Sequence, residues 1–234
     1  MLFSDYDDPA SMRTAFQDTD RLLFISSPGP QTGPRTVQHR RVVNAAAEAG
    51  VGTVLYTSGL GADVVEEGLL GEHHDTELAL RDSGLRCSFL RHPIYTEMFV
   101  DADLVRQALE RGVLTGSTGD SPFNTATRSD LAEAAAVILT GEDQPREAYQ
   151  FTGPLWTYPQ LATALSEVSG KPVRYSDTDE GQGAMAFFGP IVRAGGFGAT
   201  TNDLEQTLGR PASGIREAVT AALNHPAGGD THST

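Results

Sequence analysis

The chain has 234 residues, 39% hydrophobic and 21% charged, the composition of one ordinary globular domain, which excludes collagenous, coiled-coil and wholly disordered classes. Seventeen basic residues against 31 acidic ones give a formal charge of −14, which repels a phosphate backbone and disfavours nucleic acid as a partner. No apolar run approaches the ~20 residues that cross a bilayer, and the opening MLFSDYDDPA has neither the basic nor the apolar region of a signal peptide, so a soluble cytoplasmic protein with no membrane partner is expected.

Residues 22–26, LLFIS, form a short apolar run that ends in the breakers Ser27, Pro28, Gly29, Pro30 and Gly33, which predicts a buried strand running into a loop. A helix is expected over residues 36–49, where Val37, Val42, Val43 and Ala46 share a stripe and Gly50 supplies the stop; GTVLYTS is then the next strand. The alternation continues with a helix over 72–83 ending at Gly84, a strand over 86–91, and a helix over 103–111 ending at Gly112. Strand and helix alternating in this way predict an α/β fold, a doubly wound parallel sheet covered on both faces.

After Gly116 the pattern changes. An Ala-rich helix over 129–140, opened by Ser129 or Asp130, is followed by a short strand over 148–151 and by a helix from a Thr157 cap to Gly170. A strand over 173–175, an apolar helix over 185–193 and a last helix over 213–223 complete the reading. The organisation predicted is one domain over 1–223, with a Rossmann-like part to about residue 116, a smaller α/β lobe over 117–223, and a disordered tail over 224–234.

Several chemistries are excluded by direct reading. The single lysine, Lys171, has Glu167 rather than tyrosine four residues before it and Pro172 after it, so neither a Tyr-x-x-x-Lys dyad nor a P-loop is present. Gly59-Leu60-Gly61 meets Val64 where a dinucleotide fingerprint needs its third glycine, and Gly195-Gly196-Phe197-Gly198 follows a helix instead of a strand. The lone Cys87 permits no internal disulfide, and no Gly-x-Ser-x-Gly elbow surrounds Ser26, Ser27 or Ser58. In Glu72-His73-His74-Asp75-x-Glu77, His73 and Glu77 share a helix face without a third ligand at a telling spacing, so no metal is expected. What remains is a row of strand ends, Ser26-Ser27, Thr57-Ser58 and Arg91-His92 with Pro93 and Tyr95 beyond, on the carboxyl edge where open α/β sheets bind ligands.

The segments DYDDPASM, LLFISSPG, QHRRVVNAAAEAGV, LYTS, EHHDTELALRDSGL, LRHPIYTE and TATRSDLAEAAA together resemble the NmrA-like atypical short-chain dehydrogenases, most of all their NAD(P)H:quinone oxidoreductase branch. The resemblance runs from Asp5 to about Leu223. It implies a Rossmann domain with a small C-terminal lobe, NADPH (or NADH) along the carboxyl edge, and hydride transfer to a quinone or related carbonyl, with no metal. By the same resemblance Asp5 and Tyr6 lie near adenine, and Ser27, Pro28, Gly29 and Pro30 contact cofactor with Thr57 and Ser58 beside them. His92, Pro93, Ile94, Tyr95, Thr96 and Glu97 match the segment beside the nicotinamide, and His73 stands where many relatives carry lysine. Tyr95 or His73 could supply a proton, as could water. His92-Pro93-Ile94 replaces the Asn-Gly-Trp of the quinone branch.

The family's opening strand, glycine-rich loop, helix and second strand have no counterpart in the sequence, which starts at about the third strand, MLFS. In the order 3-2-1-4-5-6 this leaves LLFIS with an open edge, with three expectations: the start was assigned too late, a homodimer or a strand-donating partner completes the sheet, or the edge is rearranged. A non-catalytic dinucleotide sensor and an inactive truncated paralogue are the alternatives to a reductase.

Overall fold

The computed structural model describes residues 4–28, 35–179, 181 and 184–224. Its first elements are α1 (Pro9–Ala15), β1 (Arg21–Phe24), α2 (Arg35–Ala49), β2 (Thr53–Gly59), α3 (Gly68–Asp82), β3 (Arg86–His92) and a 3₁₀ turn at Thr96–Met98. Next come α4 (Ala102–Arg111), β4 (Val113–Gly116), β5 (Phe123–Asn124), α5 (Arg128–Thr140), β6 (Ala148–Gln150) and β7 (Leu155–Trp156). The chain closes with α6 (Tyr158–Ser169), β8 (Arg174–Asp177), α7 (Ala184–Arg193), α8 (Asp203–Leu208) and α9 (Ile215–Asn224). Two compact units are formed, Met1–His92 with Ala132–Phe151, and Pro93–Leu131 with Thr152–Thr234.

In the first unit β1-β2-β3-β6 make one parallel sheet, in register Phe24 to Tyr56 to Phe89. The α/β fold with a parallel sheet is therefore as predicted. All seven residues of β2 are buried, as befits an apolar strand covered on both faces. Its core joins Phe24, Val54, Tyr56 and Phe89 from the strands to Met12, Val42, Val43 and Leu80 from the helices. One end of the sheet is β1, and among the described residues no strand pairs with its other edge. The Arg21 guanidinium turns instead to the end of α5, donating to the carbonyls of Ile138 and Leu139, which a helix end leaves without intrahelical partners, and to that of Gly141 just beyond it.

The second unit pairs β4 with β8 in parallel and β5 with β7 antiparallel. Phe99, Phe123, Trp156 and Tyr158 pack edge-on or stacked in its core with Leu161 and Leu165. Thr157 opens α6 with a capping box to Gln160, and Gly170 closes it in the left-handed region at φ 70°, both as the sequence predicts.

The differences from expectation are local. α1 was not predicted; it is short and rests on the Asp8 carboxylate, which accepts from the backbone N–H of Ala10 and Ser11. α3 begins at Gly68, ahead of the predicted residue 72. α5 is opened by Thr127, whose Oγ1 accepts from the Asp130 N–H, and not by Ser129 or Asp130. The Asp130 carboxylate is engaged elsewhere, by Arg210 and the Ser213 N–H. The strand expected at MLFS and the C-terminal tail fall largely outside the described residues, as do Gly29, Pro30 and Gly33.

Candidate functional site

Parallel pairing lines up the carboxyl ends of β1, β2 and β3, with Ser58 opposite Arg91 and Gly59 opposite His92. Gly59 lets α3 approach the strand closely: a Cβ there would lie 2.6 Å from Leu70 Cδ2 and 3.3 Å from His73 Cδ2, so the Leu70 side chain would have to shift. Tyr6 reaches the same edge: its ring meets Phe24 edge-on, and its hydroxyl donates to the Ile25 carbonyl at 2.8 Å. Asp5 is beside it, its carboxylate accepting from the Asp7 N–H.

Most polar groups at these strand ends are committed to the scaffold. The Ser27 N–H donates to His39 Nε2 (3.0 Å), its hydroxyl donates to Gln38 Oε1 (2.6 Å), and its carbonyl accepts from Arg35 Nε. All three partners come from one face of α2 at spacings of three and four, the geometry of neighbouring side chains on a helix. Thr57 Oγ1 accepts from the Ser26 N–H at 2.7 Å, and the Ser58 hydroxyl donates to Glu77. Pro28 is exposed, and Ile25, 58% exposed, is the apolar surface of this shelf.

Two buried arginines organise what lies beneath. Arg91, 4% exposed, donates twice to Glu77, which is fully buried, at 2.9 and 2.7 Å, and once to Asp63 at 2.8 Å. Arg35, 7% exposed, donates to Glu72 at 3.0 Å and to His73 Nε2 at 3.1 Å. His73 Nδ1 lies 2.7 Å from the Tyr56 hydroxyl, and His39 Nδ1 lies 2.8 Å from Thr76 Oγ1, which donates to the Glu72 carbonyl. Burial first, then the Arg35 charge, push both His39 and His73 down to about 3, so both rings are neutral at neutral pH. Burial alone pushes His92 down to about 4; its ring stacks on Phe151 and its carbonyl accepts from the Leu60 N–H.

The other predicted residues belong to the second unit. Ile94 and Thr96 exchange backbone hydrogen bonds with Ala126, making a parallel bridge at Tyr95. Thr96 Oγ1 meets Thr125 Oγ1 at 2.7 Å, and Trp156 Nε1 donates to the same Thr125 oxygen. The Arg128 guanidinium lies 5.0 Å from the Tyr95 ring centroid, while Glu97 accepts from the Arg128 N–H. Pro93 is buried.

Sequence reasoning brought Asp5, Tyr6, Ser27, Thr57, Ser58, His73, Arg91 and His92 into the first unit's edge region, and left out Arg35, Gln38, Tyr56 and Thr76. The available signal was the spacing of Arg35, Gln38 and His39, polar residues on the inward face of a helix. Among the described residues no group of three His, Cys, Asp or Glu could hold a metal ion, and no helix is long and apolar enough to cross a membrane.

A sequence profile of the NmrA-like family matches residues 1–182. The chain is 35% identical to quinone oxidoreductase 2 of Escherichia coli strain K12, over 94% of this chain and 82% of that protein. It superimposes on Citrobacter sp. triphenylmethane reductase complexed with NADP(H) with a TM-score of 0.84 at 32% identity, covering 94% of this chain and 82% of that one. The NADPH complex of the E. coli NADPH-dependent quinone oxidoreductase gives 0.82 at 34% identity, covering 95% and 83%.

Proposed function

Because the chain belongs to the NmrA-like family, we propose that it is an NAD(P)H-dependent reductase with NADPH as its main donor, acting on a quinone or related conjugated carbonyl. The observation that carries this reading is the carboxyl edge of β1, β2 and β3, a shelf locked from below by α2 and α3. The exposed Ile25 side chain and the held backbone of residues 25–27 suit the flat rings and sugars of a nicotinamide nucleotide. The sequence holds no Gly-x-x-Gly-x-x-Gly phosphate cradle.

NADPH supplies a hydride to one end of the acceptor, and one proton completes the hydroquinone. In this reading Asp5, Tyr6, Ser27, Pro28, Gly29, Pro30, Thr57 and Ser58 bind and orient the donor from the first unit. His92 and the segment Pro93, Ile94, Tyr95, Thr96 and Glu97 border the nicotinamide and acceptor. Tyr95 or water supplies the proton. His73 is unsuited to it, since its Nε2 takes a hydrogen bond from Arg35 and its other nitrogen faces Tyr56. The hydroxyls of Ser27 and Ser58 each donate inward, to Gln38 and Glu77, and so steady this edge.

The test is NADPH oxidation across a panel of quinones and conjugated carbonyls, alongside calorimetric titration of NADPH. Turnover is expected, and Tyr95→Phe is expected to lower kcat less than about tenfold, since water can replace a phenol as proton source for a quinone. A folded chain that binds NADPH without oxidising it would support the dinucleotide-sensing reading. A folded chain that binds neither NADPH nor NADH would overturn both.

A further inference from the structure

Arg35 is the first residue of α2, a helix with no acidic residue in its first turn. A cation there opposes the positive end of the helix dipole, and burial removes the water that would offset it. Its position is sustained by acceptors from two other elements: the Ser27 carbonyl beyond β1, and Glu72 and His73 on α3. Of these acceptors only Glu72 carries charge, and its side chain is 39% exposed.

The chemistry of a guanidinium fixes the rest of the network. Arginine has donors only, so His73 Nε2 must offer its lone pair and the ring proton must sit on Nδ1. That proton is donated to the Tyr56 oxygen, 2.7 Å away. Thr76 gives its own proton to the Glu72 carbonyl. From the other side the Ser27 N–H occupies His39 Nε2, so His39 also carries its proton on Nδ1 and donates it to Thr76 Oγ1. In the arm from Arg35 through His73 to Tyr56 and in the arm from Ser27 through His39 to Thr76 no donor faces a donor, and inverting the His73 ring proton would set two donors against each other at Arg35.

We propose that Arg35 is a positioning residue that locks His73 as the Nδ1–H tautomer while tying the carboxyl end of β1 to α3. The catalytic consequence rests on the reductase reading above: a His73 held in this way is part of the shelf and gives no proton to the acceptor. The charged and titratable groups around His73 are Arg35 and His39 from α2, Tyr56 from β2, Glu72 and Glu77 on its own helix, and His92 from β3. The positive charge among them, Arg35, opposes protonation of the ring.

Multiple-bond ¹H–¹⁵N spectra of the imidazoles in the full chain read the tautomer directly, with His73 assigned by its loss in His73→Gln. The expected wild-type result is a pyridine-type Nε2 and a pyrrole-type Nδ1, unchanged between about pH 5 and pH 8, where an ordinary histidine titrates. Arg35→Met should bring in the Nε2–H tautomer and move the titration toward that window, and Arg35→Lys, which keeps a donor and the charge, should restore part of the wild-type pattern. Tyr56→Phe removes the acceptor for the Nδ1 proton and leaves Arg35 in place, so the Nδ1–H form should persist. A wild-type Nε2–H ring, a His73 that titrates near 6.5, or a switch to Nε2–H in Tyr56→Phe would each overturn the proposal, even if Arg35→Met does not fold. In the quinone assay the wild-type kcat should show no limb that follows His73. If no acceptor is reduced, the reductase reading fails while the spectra still decide the role of Arg35.

Discussion

Arg91 and Arg35 are both buried under the same sheet edge, and they are neutralised in opposite ways. Arg91 faces a fully buried carboxylate through two nearly parallel hydrogen bonds, with a third to Asp63 at the rim. Arg35 spreads its donors over a carbonyl, a neutral imidazole and a carboxylate in contact with water. The first is a closed ion pair whose members cannot be separated without stranding a charge. In the second, two histidines of depressed basicity stand beside a cation, an arrangement whose stability depends on pH and whose geometry sets proton positions.

The comparison breaks most visibly at Arg91. Replacing it with methionine leaves Glu77 buried without its main partner, a class of change that costs about 3–5 kcal/mol; Arg81, 3.4 Å away and at the surface, offsets little of it. Denaturant unfolding should show the loss, and a variant within about 1 kcal/mol of wild type would mean that Glu77 becomes neutral at little cost. Arg35→Met should cost less, about 1–3 kcal/mol, since its removal leaves neutral acceptors unsatisfied and returns Glu72 to solvent. If the two variants lose the same stability, the distinction between a closed and a distributed pair is wrong.

How much of this was legible in the sequence follows from the period of each pattern. β2 and β3 were readable because GTVLYTS and RCSFLR are apolar runs bounded by turns, and α6 because Thr157, Gln160 and Gly170 mark both of its ends. α1, β5 and β7 were not, because two to seven residues held by one cap or one partner strand carry no periodicity. At the site, Ser27 and Thr57 were found from their place after apolar runs, but not what occupies them. Arg35, Tyr56 and Thr76 lie in three different elements, and only the folded sheet brings them to His73 and His39. Their charge and polarity at inward positions, against the ordinary pattern, was the one local sign.

The histidines sharpen the comparison through pH. His39 and His73 are held at about 3 when folded and return to about 6.5 in the unfolded chain. The unfolded state therefore binds more protons between those values, and stability is fully present above about pH 6.5 and declines as the pH falls toward 3. Between pH 7 and pH 5.5 each ring accounts for about 1 kcal/mol of that decline. Urea titrations of His73→Gln should show a shallower slope by one such share, whereas Asp63→Asn, at the rim of the Arg91 pair, should leave the slope in this window unaltered. Equal slopes in wild type and His73→Gln would mean that the ring is protonated in the folded state.

The smallest effect belongs to Asp63, the rim partner of Arg91. It is 43% exposed, and Glu77 already neutralises the arginine from within, so Asp63→Asn removes a screened charge and keeps a hydrogen-bond acceptor. The expected loss is about 0.5 kcal/mol, and it should shrink as salt is raised because exposed pairs weaken within a Debye length. A loss that is large and insensitive to salt would show that Asp63 is part of the closed pair. Arg91 would then owe its burial to both carboxylates, and the segment between β2 and α3 would be held as firmly as the sheet beneath it.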